Sequence, residues 1–148
     1  MAPKSTTELG TAGKYVLEDQ VGHLLRRAHQ RASAIFQEHM AEGLTPQQYA
    51  ALIKVRDFGS VSQNRLGRAV AMDPATSQGV VQRLAAKHLV RRADDPKDRR
   101  RSVLSLTPDG KKLVETLIPL GQEITAEILE PLSRDEQATF LNLLKKLT

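Results

Sequence analysis

Apolar residues recur with a helical period from Leu17 to Met40. Leu17, Val21, Leu24, Leu25, Ala28, Ala32, Ile35, Phe36 and Met40 form one stripe. The pattern predicts a helix that stops near Gly43. Leu44-Thr45-Pro46-Gln47-Gln48 predicts a restart, because Thr45 can cap, Pro46 suits the first helical position and Gln48 completes a capping box. That helix runs to about Phe58 and stops at Gly59. Ser62 is a cap for a short helix carrying Leu66, Ala69 and Val70, and Asp73-Pro74 opens another to about Lys87. Only Ala71 to Asp73 separate these two, which is helix-turn-helix spacing. Helical hairpins with no nucleic-acid partner share that spacing.

The period then changes. Ser102-Val103-Leu104-Ser105-Leu106 alternates polar and apolar, as a half-buried strand does. Leu89–Ala93 predicts its partner, and residues 94–101 a charged tip between them. A hairpin directly after a helix-turn-helix is a wing. Thr107-Pro108-Asp109 opens a long helix with Leu113, Leu117, Leu120, Ile124 and Ile128 on one stripe. Pro119 and Gly121 predict a kink or a break inside it, and Pro131 its end. Ser133 with Glu136 opens a last helix that carries Phe140, Leu141, Leu143, Leu144 and Leu147.

These elements predict a mainly α fold with a small β-hairpin wing: a winged helix-turn-helix with a helical dimerisation region. Residues 1–14, mixed in Pro, Gly, Ser and Thr, read as a flexible arm. Residues 44–107 form the winged helix, and 15–43 with 108–148 the dimerisation region. The first helix and the last two carry more apolar surface than a small winged helix can hide. A homodimer is the expected cover, and an ordinary monomeric core the alternative.

Composition narrows the function. At 148 residues and 40% hydrophobic content the chain is one ordinary domain or one protomer, not a disordered segment. It has no cysteine, which excludes disulfides, thiolate metal sites and cysteine nucleophiles. No run approaches 18 apolar residues and the start has no signal-type stretch, so a soluble cytoplasmic protein without a membrane partner is expected. The net charge is +5, but Ser62 to Arg101 alone holds 10 basic and 4 acidic side chains. All of the excess positive charge thus sits in one quarter of the chain, the footprint of a polyanion-binding element. Charge alone fits a solvated basic face equally well. Scarce aromatics and the absence of Trp argue against single-strand binders that stack bases. There is no Gly-rich phosphate loop, no GxSxG and no HExxH, so neither an enzyme nor a cofactor is implied. Two other regulators stay open. One is metal-responsive, although the four histidines offer no His-x3-His pair. The other is an architectural DNA-binding protein without a ligand, which would protect DNA broadly rather than at a defined pseudo-palindrome.

Several separated motifs agree in order and spacing. Asp98-Xaa-Arg100 is followed by five residues and then Leu106-Thr107. Leu44-Thr45-Pro46-Gln47-Gln48-Tyr49 opens the second helix, and Arg83-Leu84 precedes Leu89-Val90-Arg91-Arg92. From Val16 onward the chain resembles the multiple-antibiotic-resistance regulator (MarR) family of dimeric winged-helix repressors. The resemblance implies double-stranded operator DNA, pseudo-palindromic, as the partner. A recognition helix presents its first turns to base edges in the major groove. Here those turns carry Ala75, Thr76, Gln78 and Gly79, with Gln82 and Arg83 a turn further on. Ala75 and the Thr76 methyl suit thymine methyls, and Gln78 suits adenine. Gly79 stands where many relatives carry a larger residue, often Arg. By resemblance, Asp98 pairs with Arg100 and holds it extended into the minor groove, where a narrow A·T-rich groove attracts it. Lys97, Arg99 and Arg101 join it at the wing, and Arg65 and Arg68 are backbone-phosphate candidates.

The resemblance also implies a small-molecule pocket between dimerisation helices and winged helix, with an aromatic acid as inducer. Arg27, His29 and Arg31 flank the apolar stripe of the first helix and Tyr49 lies on the second, so these four are the ligand candidates. His23 and Arg26 point away from the stripe. His39 falls at its centre, where a satisfied core histidine is the expectation. A rim of structural or solvated residues remains the alternative for all four candidates.

Overall fold

The structure is a computed structural model that describes residues 14–148. The arm expected over 1–14 lies, apart from Lys14, outside the described residues. A short 3-10 turn at Leu17–Asp19 leads into α1 (Val21–His39), and a second at Ala41–Gly43 leads into α2 (Pro46–Phe58). Then come β1 (Val61–Ser62), α3 (Gln63–Ala69), α4 (Pro74–Ala86), β2 (Val90–Asp95), β3 (Asp98–Leu106), α5 (Pro108–Leu129) and α6 (Arg134–Lys145).

The caps explain why the elements start where they do. The Thr45 hydroxyl accepts from the Gln48 N–H, and the Gln48 side chain accepts in return from the Thr45 N–H. Ser133 and Glu136 repeat this box at α6. Ser62, Asp73 and Thr107 cap α3, α4 and α5.

Two helix ends were less legible. Ala71 follows α3 at φ 53° and His88 follows α4 at φ 59°. The N–H of Met72 reaches back to the Gly67 carbonyl, and that of Leu89 to the Leu84 carbonyl. These are Schellman closures with a left-handed residue that glycine would normally fill. The turn of the helix-turn-helix therefore carries local strain at Ala71. Ala71→Gly should raise stability by roughly 1 kcal/mol, read as a higher urea midpoint at unchanged m-value.

The strands form one antiparallel sheet in the order β1-β3-β2. Val61 pairs with Leu104 and Val90 with Leu106, so one face of the wing root enters the core. The ladder runs on to Asp95 opposite Asp98, with a bulge between Asp94 and Asp95. The expected tip over 94–101 thus shrinks to Pro96-Lys97, and Arg99, Arg100 and Arg101 lie on β3. Charged side chains do not interrupt a strand whose outer part is solvated on both faces. Strand β1, only two residues long, has no periodicity to announce it.

Leu52 and Val55 of α2, Leu66 of α3, Val81 and Leu84 of α4, Leu104 of β3, and Val114 and Leu117 of α5 are all fully buried. One core therefore fixes α2, α3, α4, the wing root and the first half of α5 together. A second cluster of Ile35, Phe36 and Ile124 joins α1 to the later part of α5, with Phe36 and Tyr49 edge to face at 5.8 Å. Of the kink or break expected at Pro119 and Gly121, the break does not occur, because α5 is one continuous helix. Proline's φ suits a helix, and the carbonyl it leaves unpaired belongs to Glu115 on the exposed side. Gly121 serves packing instead: a Cβ there would overlap the Tyr49 ring and hydroxyl.

Candidate nucleic-acid interface

Helix α4 begins with Asp73, whose carboxylate accepts from the Thr76 N–H at 2.8 Å and from the Thr76 hydroxyl at 3.0 Å. These bonds, the backbone one foremost, hold the Asp73 carboxyl below its usual range. A lowered carboxyl pKa means the cap persists as pH falls past the ordinary carboxylate range. It is lost only as pH falls through the lowered value. The cap orients the first turns of α4. Val80, Val81 and Leu84 face the core, whereas Ala75, Gln78, Gln82 and Arg83 are exposed and Thr76 and Gly79 half-buried. The Thr76 hydroxyl is committed to Asp73. A Cβ on Gly79 would meet only the Arg83 guanidinium, at 3.4 Å. No neighbouring helix requires glycine there. Arg83 leans back one turn over the space it leaves, as long helical side chains do.

The buried pair under this surface is small. Ser77 is 2% exposed and packs on Gly67, letting α3 and α4 approach closely. Its hydroxyl has no hydrogen-bond partner.

On the wing, Asp98 does not form the expected ion pair with Arg100. Its carboxylate accepts from the backbone N–H of Arg100 at 3.0 Å. Two residues apart at a turn, the carboxylate meets the main chain before the guanidinium. Asp98 therefore shapes the backbone that presents Arg100. Asp95 does the same for Lys97, accepting its N–H at 2.9 Å. The ion pairs among the described residues join His39 to Glu127, Lys54 to Asp57 and Arg56 to Asp57. Arg65, Arg68, Arg83, Lys97, Arg99, Arg100 and Arg101 take part in none of them.

These cations are not scattered. Arg68, Arg100 and Arg101 line one polar crevice of about 390 Å³ with Ser62, Gln63 and Asn64, between the start of α3 and the wing. Arg65 stacks on the Phe58 ring at 4.5 Å, which fixes its guanidinium at low entropic cost. One residue that the sequence made look like another free cation is a strut: Arg92 donates to the Gln63 side chain and ties the wing to α3. Arg92 and Leu104 are cross-strand partners on the inner face, which brings the guanidinium to α3. Only the pairing register, absent from sequence, reveals this.

The four ligand candidates do not converge on one cavity. Arg31 donates to the main-chain carbonyls of Glu127 and Ile128, at 3.0 and 2.6 Å, and so caps the end of α5. Unsatisfied carbonyls at a helix end attract a cation, and α1 passes beside them. Arg27 is exposed, and His29 is exposed beside Ser33 at 3.4 Å. Tyr49 instead lines a groove of about 590 Å³ with residues of α5 and α6 that include Thr125, Leu129 and Leu141. His39 is not a core residue; it is half-exposed and bonded to Glu127. Glu38 completes a group whose ligand atoms lie within 4.8 Å, but His39 and Glu127 already satisfy each other. Among the described residues no helix is long and apolar enough to cross a membrane.

Residues 42–101, the span from the α1–α2 junction through the wing, match the family model described as MarR family. Over 134 residues the chain is 41% identical to the HTH-type transcriptional repressor NicR of Pseudomonas putida, covering 90% of this chain and 85% of that one. It superposes with a TM-score of 0.86 on BpsR of Bordetella bronchiseptica, whose DNA binding is regulated by 6-hydroxynicotinic acid. The identity is 42%, covering 91% and 97% of the two chains. A mutant of MarR from E. coli bound to operator DNA matches at a TM-score of 0.79 and 27% identity, covering 86% and 92%.

Proposed function

The chain belongs to the MarR family of transcriptional regulators, and on that premise we propose that it is a homodimeric repressor of a catabolic or efflux gene cluster. It acts in the cytoplasm, binds a pseudo-palindromic operator and is released from it by a small aromatic acid. The observation that carries the DNA reading is the arginine crevice between α3 and the wing, whose Arg68 also lines a small pocket with Pro74 and Ser77 of α4. It is built from cations outside every ion pair among the described residues. Gln78 and Arg83 read base edges there, Ala75 and Thr76 meet thymine methyls, and Gly79 and Gln82 lie against the groove. Lys97, Arg99 and Arg101, with Arg65 and Arg68, meet phosphates, and Arg100 enters the minor groove.

Residues 15–43 and 108–148 supply the dimer contact. Leu24 and Leu25 of α1, and Phe140, Leu141 and Leu143 of α6, are exposed in the single chain. A partner copy covering them sets two recognition helices one DNA turn apart, about 34 Å. The inducer reading is supported by the named effector of BpsR, 6-hydroxynicotinic acid.

Footprinting on the DNA flanking the chain's own gene tests the proposal. The expected result is a defined protected pseudo-palindrome that 6-hydroxynicotinate or a related benzoate or pyridine carboxylate removes. Broad protection without a centre would replace the repressor by an architectural protein. In the same assay Gln78→Ala should relax discrimination at one or two positions per half-site, by about 1–3 kcal/mol each.

A further inference from the structure

Helices α1 and α5 pass each other in opposite directions. Arg31 meets the carbonyls of Glu127 and Ile128, whereas Ile35 and Phe36, a turn later on α1, cluster with Ile124, a turn earlier on α5. Those three apolar side chains are buried and hold the seam from within. His39 follows Phe36 by one turn, and Glu127 follows Ile124 by one turn. Long helical side chains lean back toward the N-terminus of their helix, so these two lean toward each other along one edge of the seam. They meet with His39 Nε2 at 2.5 Å from a Glu127 carboxylate oxygen, from positions 88 residues apart in the chain. Glu38, beside His39, brings a second carboxylate. One ligand atom from each of the three lies within 4.8 Å of the other two.

We infer that this edge binds a divalent first-row transition ion of the zinc type, which bridges α1 to α5 through His39 Nε2 and the carboxylates of Glu127 and Glu38. Water completes the coordination, because three protein ligands leave a tetrahedral ion one open position. The imidazole nitrogen decides the class of ion. Zinc, nickel and copper accept a nitrogen among carboxylate oxygens, whereas magnesium and calcium take oxygen shells.

Charge and geometry favour a cation here. Two carboxylates meet one imidazole, and neither is paired with a lysine or arginine among the described residues. Arg31, on the same seam, spends its guanidinium on main-chain carbonyls. The bond between His39 and Glu127 needs a proton between the two atoms. A metal ion takes that place, the proton leaves Nε2 for Nδ1 or for solvent, and both groups stay as ligands. Metal–ligand bonds of about 2.1 Å set tetrahedral ligand atoms roughly 3.4 Å apart. His39 and Glu127 must therefore open slightly and Glu38 must close. Side-chain rotation supplies both movements, since Glu38 and Glu127 are exposed and His39 half-exposed. The buried Ile35, Phe36 and Ile124 fix the main chain beneath, so binding orders side chains alone. A bound ion then braces the seam between two helices proposed to carry the dimer contact, and stabilises the fold by mass action.

Calorimetric titration of the full chain, free of any purification tag, with zinc chloride tests this. One zinc should bind per protomer with micromolar affinity, and millimolar magnesium should neither bind nor compete. His39→Gln, Glu127→Gln and Glu38→Gln should each weaken zinc binding at least tenfold. His23→Gln, on the same helix beside Arg26, should not. Zinc in hundredfold excess over its dissociation constant should raise the wild-type melting temperature by about 4 °C or more, and should not raise that of His39→Gln. Should a variant lose its fold, the wild-type imidazole NMR signals decide: zinc should shift those of His39 and leave His23, His29 and His88 in place. Wild-type zinc affinity in any one of the three ligand variants would overturn the site. So would zinc-induced shifts at another histidine with His39 unmoved, or binding at millimolar zinc alone, which means an adventitious ion only. No DNA enters the titration, so the site and the operator reading stand or fall separately.

Discussion

Alanine at position 110 should destabilise the protein by about 3 kcal/mol or more, the scale of overpacking against a rigid wall. Gly110 is buried in the first turn of α5, and a Cβ built there lies 3.0 Å from the Leu89 carbonyl carbon and overlaps its oxygen. That wall is main chain and cannot rotate away. It is also pinned: the Leu89 carbonyl accepts from the Thr107 N–H at 3.1 Å, and the Thr107 hydroxyl donates to the His88 carbonyl and accepts from the Gly110 N–H. One junction thus ends α4, starts β2, ends β3 and starts α5. A methyl there moves the recognition helix and the wing relative to α5. Gly79→Ala is the contrast, because its Cβ meets only the end of the Arg83 side chain. It should stabilise α4 by up to about 1 kcal/mol through helix propensity. Urea unfolding of both variants checks the pair. Equal midpoints would show that the α4–α5 junction yields.

Arg100→Ala should lower operator affinity on the order of a hundredfold for the dimer, each half-site losing one groove contact. It should also flatten any preference for A·T pairs flanking the half-sites, because a narrow minor groove is what an inserted arginine senses. Asp98 gives a sharper test of mechanism. Its carboxylate oxygen accepts from the Arg100 N–H, a role that an asparagine carbonyl fills equally well. Asp98→Asn should therefore keep or improve operator binding, and Asp98→Ala should weaken it severalfold by freeing the turn. Loss of binding in Asp98→Asn equal to that in Asp98→Ala would restore the ion-pair role that the resemblance implied. Binding isotherms of the three variants on one operator duplex separate these outcomes.

Most of the fold was legible because its signals are local. Thr45-Pro46, Asp73-Pro74, Thr107-Pro108 and Ser133 mark helix starts by chemistry within four residues, and the structure begins α2, α4, α5 and α6 there. The exposed basic face proposed for DNA was legible for a related reason: a charge cluster is a property of sequence, and one helix face follows from its period. What failed depends on partners distant in sequence. Gly121 suggests a helix interruption only until it is seen to receive Tyr49. Arg31 looks like a ligand cation until the end of α5 is seen 97 residues away. Arg91 and Arg92 are adjacent and alike in sequence, yet strand alternation sends them to opposite faces, one to a cleft and one to α3.

The central claim is that the cations of α3, α4 and the wing clamp a duplex through its phosphates. The most direct test is the salt dependence of operator affinity, followed by fluorescence anisotropy on a labelled duplex. Each phosphate neutralised contributes a slope of about −0.9 in log K against log [salt]. A dimer using the arginine crevice and wing twice over should give a slope of about −5 or steeper. Alanine at both Arg68 and Arg101 should make that slope shallower by about 2 to 4. A slope near zero, or one that this double variant leaves unchanged, would contradict the assignment of this face to DNA.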